Sequence, residues 1–327
     1  MPPQPSRFSR VAAEIIALVY IAIIAAVANA TGAFYVMFPE LGALSHDVFT
    51  RPRGTWANAP MLLAITPVTT GAIGIAITRS LPYGYLSVLL NVLGAIMVIL
   101  AMRSPIAPAI SAGLLPLVLG VTSWWYPPGI LFGTVLLAML SMLWKRYGVT
   151  DEPTLLNPEN AEGIAEEVAE DITHEVAAPV RARYEKIAAL IAFVAAGVLL
   201  VNLTGWRFIL FPPLVVIGFE MFVHPDICPW ANRPLMLPVA CFLTALGGFV
   251  FWKFLGVTPI TAVASMGWGI LVLRALDLHV PPALAVALLP LVMTNPSWIY
   301  PISVGLGTLM LTGWFFLCEW MLAGFTS

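Results

Sequence analysis

Charge is what this sequence has least of. Asp, Glu, Lys and Arg make up 10% of its 327 residues, against about 25% in soluble domains, and that excludes an ordinary water-soluble enzyme. Cysteine is scarce as well. Cys228, Cys241 and Cys318 are too few and too scattered for a disulfide or metal framework, and they read as small packing residues. The histidines form no cluster with metal-ligand spacing, so neither a metal nor a cofactor is expected. No dense Lys/Arg run interleaves with aromatics, which removes nucleic acid as a partner. No Ser-His-acid set and no phosphate loop is visible, so an enzyme is not expected.

What the chain has instead is long apolar runs. Hydrophobic residues make up 60% of it, and its mean hydropathy is +0.93. Runs of about 17–25 apolar residues can cross a bilayer as helices, and they recur along most of the chain. The expected class is an all-α polytopic membrane protein with the lipid bilayer as its surroundings. Its few charges are segregated: nine of the 17 acidic residues lie between Asp151 and Glu175. The first run, after Arg7 and Arg10, ends in a small-residue Ala28-Asn29-Ala30 that imitates a signal-peptide cleavage site. However, "NATG" at Asn29–Gly32 recurs as "NLTG" at Asn202–Gly205 after an equivalent run. Residues 11–31 are therefore kept as the first span.

That recurrence is part of a longer one. Phe38-Pro39 corresponds to Phe211-Pro212, and Arg51-Pro52 to His224-Pro225, at an offset of 173. One residue later the offset becomes 174. Trp56, Asn58 and Pro60 then match Trp230, Asn232 and Pro234, and Gly74 matches Gly248. "PIAPAISAGLLPLVLGVTSWWYP" (Pro105–Pro127) matches "HVPPALAVALLPLVMTNPSWIYP" (His279–Pro301), with Trp124 and Tyr126 over Trp298 and Tyr300. Two homologous helical repeats follow, of about six apolar segments each, giving about 10–12 transmembrane helices with short Pro-broken ones among them. In the first repeat the segments lie near 11–31, 33–49, 59–79, 83–102, 106–122 and 127–144.

The expected organisation is a tail at 1–10, one repeat at 11–148, a linker at 149–180 and a second repeat at 181–327. Whether the second segment of each repeat crosses or only dips in decides the orientation of the second copy. Six crossings put twelve of the 15 basic residues on one side, leaving Arg79, Arg207 and Lys253 on the other. The positive-inside rule therefore favours parallel repeats, with the N-terminus and linker cytoplasmic in a bacterial inner membrane. In the linker, Ile164, Val168, Ile172 and Val176 recur at four-residue steps among acids, an amphipathic helix pattern that also contains His174.

Polar groups inside spans are costly and are the default functional candidates. Pro39 and Pro212 should break the second segment of each repeat, exposing backbone donors that could receive an anion. Glu40 and Gly42 follow the first break, whereas Pro213 stands where Glu40 would recur. Asp47 and Glu220 are aligned carboxylates near the cytoplasmic end. Asn58 and Asn232, with Trp56 and Trp230 beside them, suggest a mouth or gate that binds a polar solute; capping at the interface is the plainer alternative. Arg274, Asp277 and His279, ahead of the break at Pro281 and Pro282, are spaced for an ion pair and a titratable donor. Trp124, Tyr126, Trp298 and Tyr300 read as the aromatic belt of the opposite interface, or as part of a gate.

These landmarks resemble those of the HPP family of integral membrane proteins. They are "FPPL" at Phe211, "HPDICPWANRP" from His224 and "HVPPALA" from His279, with "FPELG", "RPRGTWANAP" and "PIAPAISA" in the first copy. Here Val280 splits the histidine from the prolines, and the first copy has no histidine. The resemblance implies a four- to six-helix unit associated with transport, with nitrite carriage proposed for some members; the departures leave small-solute transport as what carries over. The expected function is a transporter or permease for a small polar or anionic solute, along a pathway between two pseudo-symmetric halves, with Glu40, Asp277 or His279 as sites for proton coupling. A channel of the same architecture, and a non-transporting scaffold or sensor signalling through the acidic linker, are the alternatives. A homo-oligomer is left open.

Overall fold

Residues 7–147, 180–225 and 228–325 are described by a computed structural model of the chain. Among them are twelve α-helices and no strand. The first six are α1 (Arg7–Thr31), α2 (Glu40–Thr50), α3 (Pro60–Ser80), α4 (Tyr85–Met102), α5 (Ala109–Leu119) and α6 (Tyr126–Tyr147). The second six are α7 (Val180–Thr204), α8 (Pro212–Val223), α9 (Met236–Leu255), α10 (Pro259–Ala275), α11 (Pro282–Leu288) and α12 (Ile299–Phe325). The amphipathic pattern of the linker, with His174, lies outside the described residues.

Seven helices (α1, α3, α4, α6, α7, α9 and α12) are long and apolar enough to cross a membrane. Their outer faces carry exposed apolar side chains, such as Val11, Ile15, Val19 and Ile23 on α1. Such a surface suits lipid and would promote association in water. By its helices this is a membrane protein.

Proline sets where many helices begin. Pro60, Pro212, Pro259 and Pro282 are first residues of α3, α8, α10 and α11, where a missing N–H costs nothing. Left-handed residues mark the ends. Gly32 and Gly205 (φ 66° and 74°) follow α1 and α7, and Arg103 and Asp277 (φ 49° and 50°) follow α4 and α10. A non-glycine residue in that region costs about 1 kcal/mol, so the turn geometry outweighs local preference at both positions.

The short helices α2, α5, α8 and α11 are the innermost elements. Residues Ala109–Val118 of α5 and all of α11 are buried, as are ten of the twelve residues of α8. Helices that are hydrophobic on every side belong inside the protein. The second segment runs the full depth of the bundle. Tyr35 lies against Gly129 near the start of α6, Leu41 against Gly133, and the Phe49 carbonyl accepts from Trp144 Nε1 near its end at 3.2 Å. Residues 35–49 therefore run alongside about fifteen residues of α6, roughly 22 Å at the helical rise.

Both halves consequently run in the same direction. The start of α1 meets the end of α10 through Glu14 and Arg274, and Arg207, just beyond α7, lies over Tyr83, just beyond α3. Contacts between the halves are reciprocal: α1 packs on α10 as α4 packs on α7, and α2 packs on α11 as α5 packs on α8. The end of the bundle holding Arg10 is called the N face below.

Within each half, one crossing leaves no room for a side chain. A Cβ on Gly74 would lie 2.1 Å from the Gly113 carbonyl oxygen of α5, and one on Gly248 would lie 2.0 Å from the Ala287 oxygen of α11. Overpacking a core typically costs about 1–3 kcal/mol, and a backbone obstacle yields least. Gly248→Ala should therefore lower the melting temperature of the detergent-solubilised protein by several degrees. Gly313→Ala on α12, with nothing within 4 Å, should leave it unchanged.

Candidate functional site

The seam between the halves collects the buried polar groups. On the N face, the first half supplies Glu14 from α1 and His46 and Asp47 from α2, with Arg51 just beyond. The second half supplies Arg274 from α10 and His279 from the turn before α11. Arg274 holds Glu14 through its NH2 at 2.5 Å and its Nε at 3.1 Å. His279 Nε2 donates to Asp47 Oδ1 at 3.3 Å. The same oxygen accepts from Arg51, one helical turn on, whose Nε is at 2.8 Å. His46 Nε2 stands 4.0 Å from Glu14, and its ring centroid lies 6.4 Å from that of His279.

An ion pair and a histidine–carboxylate hydrogen bond thus cross the seam, and the carboxylates are the buried partners. Asp47 is 1% exposed and Glu14 8%, while the Arg274 side chain is 44% exposed. Asp47 Oδ2 and His46 Nδ1 remain buried with no protein partner. Unpartnered polar atoms of this kind are costly in a low-dielectric interior, and they are where a solute or water would bind.

Deeper in the seam is Glu40, the first residue of α2. Ser111 of α5 donates to one of its carboxylate oxygens, and the other oxygen has no protein partner. The hydroxyls of Tyr126 and Tyr300, at matching places in the halves, donate to the Ala112 and Val286 carbonyls at 2.9 Å and 2.5 Å. Asn91 of α4, 1% exposed, has its whole side-chain amide unpartnered, and a Cβ on Gly113 would lie 2.7 Å from its Oδ1.

At the opposite end the larger cavity lies within the second half, and a smaller one beside it reaches the seam. A cavity of about 270 Å³ is lined by Trp206, Arg207, Phe208, Met293, Asn295, Tyr300 and Ser303, among others. A second, of about 180 Å³, adds Val118 and Leu119 of the first half around Arg207. Ser303 is fully buried and its Oγ lacks a partner. The Arg207 guanidinium stands 5.1 Å over the ring of Tyr83. Burial pushes that phenol up to about 12, with Arg207 acting in the opposite direction, so the ring meets the cation as a neutral aromatic face.

The residues singled out by sequence fall into separate groups. Glu40 and His279 lie in the seam, and Arg274 reaches it from the second half. Asp277 does not pair with Arg274 or His279: its side chain is 92% exposed and stands 3.6 Å from Arg233. The left-handed turn at Asp277 turns it outward. Gly42 is a packing position, since a Cβ there would lie 2.5 Å from Leu288 Cδ1 of α11. Asn58 and Asn232 are exposed on the N face. Asn58 donates to the Arg53 carbonyl at 2.7 Å and accepts from Lys145, so it ties α6 to a loop and does not line the seam. Trp56 and Trp230 are buried, whereas Trp124 and Trp298 are 53% exposed at the opposite end. The tyrosines grouped with the latter pair point into the core.

The breaks at Pro39 and Pro212 offer no open row of donors. Leu41 and Gly42 donate to the Phe38 and Pro39 carbonyls, and Leu214 to that of Phe211. The positive end of α2 already carries a carboxylate, Glu40 itself, a favourable placement for a helix dipole. Pro281 and Pro282 start α11 as expected. Glu14, His46, Arg207 and Ser303 were missed. Glu14 and His46 were legible as ionisable residues inside apolar runs; Arg207 and Ser303 gave no such signal.

Among the described residues, no three of His, Cys, Asp and Glu converge in a way that could hold a metal ion. No protein-family model matches the chain, and neither a curated protein nor a solved structure is similar to it at a significant level.

The link between Glu14 and Arg274 is open to a double-mutant cycle. Glu14→Gln and Arg274→Gln should each lower stability to chemical denaturation in detergent, and together by less than their sum. The expected coupling is about 0.5–1 kcal/mol, at the low end for contacting pairs because Arg274 is partly solvated.

Proposed function

We propose that this chain is a membrane transporter for a small polar or anionic solute, and that its two halves are duplicated copies related by a pseudo-two-fold axis through the seam. Equivalent contacts at the sequence offset support the duplication. Tyr126–Ala112 and Tyr300–Val286 are the same hydrogen bond, 174 residues apart. Gly74 against Gly113 and Gly248 against Ala287 are the same crossing. Arg103 and Asp277 share one left-handed turn, and Gly32 and Gly205 another. Asp47–Arg51 and Glu220–His224 are the same one-turn ion pair, 173 residues apart. The reciprocal packing of α1 and α2 on α10 and α11, and of α4 and α5 on α7 and α8, is what a two-fold relation requires. Kinship with the HPP proteins belongs to this proposal and rests on the sequence landmarks alone.

The single observation that carries transport is the seam. Short helices interrupted at membrane depth are tolerated only where they are enclosed by protein or line a cavity, and in many transporters such helices meet at the solute site. Here four of them meet where Glu40, His46 and Asp47 keep unpartnered atoms. The Glu14–Arg274 ion pair and the His279–Asp47 hydrogen bond close the N face, and at the other end a cavity of about 180 Å³ around Arg207 lies between the halves. One closed and one open end suit alternating access better than a continuous channel. Most basic residues of the described chain gather on the N face, with Arg79, Arg207 and Lys253 at the other end; the positive-inside rule then makes the N face cytoplasmic.

Locking the seam tests this directly. Cysteines replacing Glu14 and Arg274, joined by a bifunctional maleimide in an otherwise cysteine-free protein, should abolish counterflow in proteoliposomes loaded with a panel of small anions and neutral polar metabolites. The uncrosslinked double mutant should retain flux, and the crosslinker should leave the cysteine-free parent unaffected. Full flux after crosslinking would show that the seam does not move, and the absence of counterflow for every solute in the uncrosslinked and parent proteins would remove the transport function.

A further inference from the structure

The larger cavity at the end opposite the N face, walled by the second half, has a composition more specific than a vestibule needs. Arg207 is its only cation, and among the described residues no carboxylate pairs with it. The other two cations on that end are engaged: Arg79 donates to the Thr122 carbonyl at 2.8 Å, and Lys253 lies 5.2 Å over the Trp298 ring. Arg207 touches only the face of Tyr83, which leaves the N–H donors of its planar fork free for an acceptor. Facing the same cavity is Ser303, fully buried, with an Oγ that has no partner. A buried hydroxyl without a partner points to a missing acceptor or donor, and it is independent of the exposed arginine.

The rest of the wall limits what fits. Trp206, Phe208, Met293, Ile299 and Tyr300 are largely apolar, and Asn295 and Ser297 are neutral. At about 270 Å³ the space is below the roughly 300 Å³ at which drug-sized pockets begin, so the ligand has few heavy atoms. A single guanidinium balances one negative charge; a dianion would bring a second charge that nothing here neutralises. A carboxylate matches the fork in two-point fashion, and a short alkyl group matches the aromatic wall.

We propose that this cavity is a binding site for a small monocarboxylate, its carboxylate held by Arg207, with Ser303 donating a further hydrogen bond from the buried end. As the first stop of a transported solute it rests on the transport function above; as a binding site it does not. Tyr300 lines the cavity, and its hydroxyl donates to the Val286 carbonyl of α11 at 2.5 Å. Arginine near a membrane interface also attracts lipid phosphate, but Arg207 is turned towards Tyr83, Val118 and Leu119 of the other half, a position inside the seam.

The probe is sodium propionate, titrated calorimetrically into the full-length protein in lipid-free non-ionic detergent, with sodium chloride, inorganic phosphate and phosphatidylglycerol as parallel titrants. Saturable propionate binding is expected, with phosphate and phosphatidylglycerol no stronger than chloride. Arg207→Gln should weaken propionate binding about tenfold or more, and Ser303→Ala about three- to tenfold, the range for losing charged and neutral hydrogen bonds. Each variant should melt like the parent without ligand. The proposal is overturned if propionate gives no saturable heat, if both variants bind it as the parent does, or if phosphate or phosphatidylglycerol binds as well through Arg207. Loss of this site with counterflow of other solutes intact would leave the transport function standing. Arg207-dependent propionate binding without any counterflow would do the reverse.

Discussion

A backbone surrounded by hydrocarbon has to satisfy its own hydrogen bonds, and helices interrupted at that depth have to be walled in by other helices. Much of this molecule follows from that constraint. Proline after proline interrupts α2, α5, α8 and α11 or the turns before them, and the long helices enclose all four. The enclosure closes only because Gly74 and Gly248 let backbones approach to within a side chain's width of α5 and α11. Hydroxyls then complete the wall: Thr70 donates to the Ala109 carbonyl at 2.6 Å, and Tyr126 and Tyr300 reach those of Ala112 and Val286. With the short helices centred, Glu40 and Asp47 of α2 are enclosed beside α5, α11 and the turn that carries His279.

Helical class, the positions of the long helices and the breaks were legible in the sequence, because hydropathy and proline act locally. The rare residues that recur at a fixed offset proved to be those with unusual backbone or packing duties. Gly74 and Gly248 make the close crossings, and Tyr126 and Tyr300 make the carbonyl bonds. A crossing second segment was favoured only by the distribution of basic residues, since an eleven-residue helix looks too short until the turns before it are placed against α6.

The candidate site was legible in part. Ionisable residues within apolar runs pointed to Glu40 and would have pointed to Glu14 and His46. The pairing scheme was not available from spacing: Arg274, Asp277 and His279 are neighbours in the chain, yet they reach Glu14, Arg233 and Asp47, two of them on the other half. A left-handed residue at Asp277 separates their directions, and nothing in a one-dimensional pattern reveals which way a turn will face. Asn58 and Asn232 show the opposite error. They recur, but both are exposed at the surface, and Asn58 ties a loop to α6. Under the proposed duplication, the seam residues that differ between copies are the informative ones: Glu40 faces a history of Pro213, Asn91 of Ser265, and Ser303 of Gly129.

The end of α6, where Lys145 reaches Asn58, and the start of α7, where Lys186 reaches the Val223 carbonyl, lie at the same face of the bundle, and one chain carries both halves. A tether of that kind turns the meeting of two partners into an event within one molecule, at an effective concentration that dilution in the membrane does not lower. It also removes a constraint that binds any pair of identical subunits, where a change at one side of the interface is necessarily repeated at the other. In one chain, Glu40 can exist once. A chain that carries both halves is thus free to place different side chains at equivalent positions on the two sides of the seam.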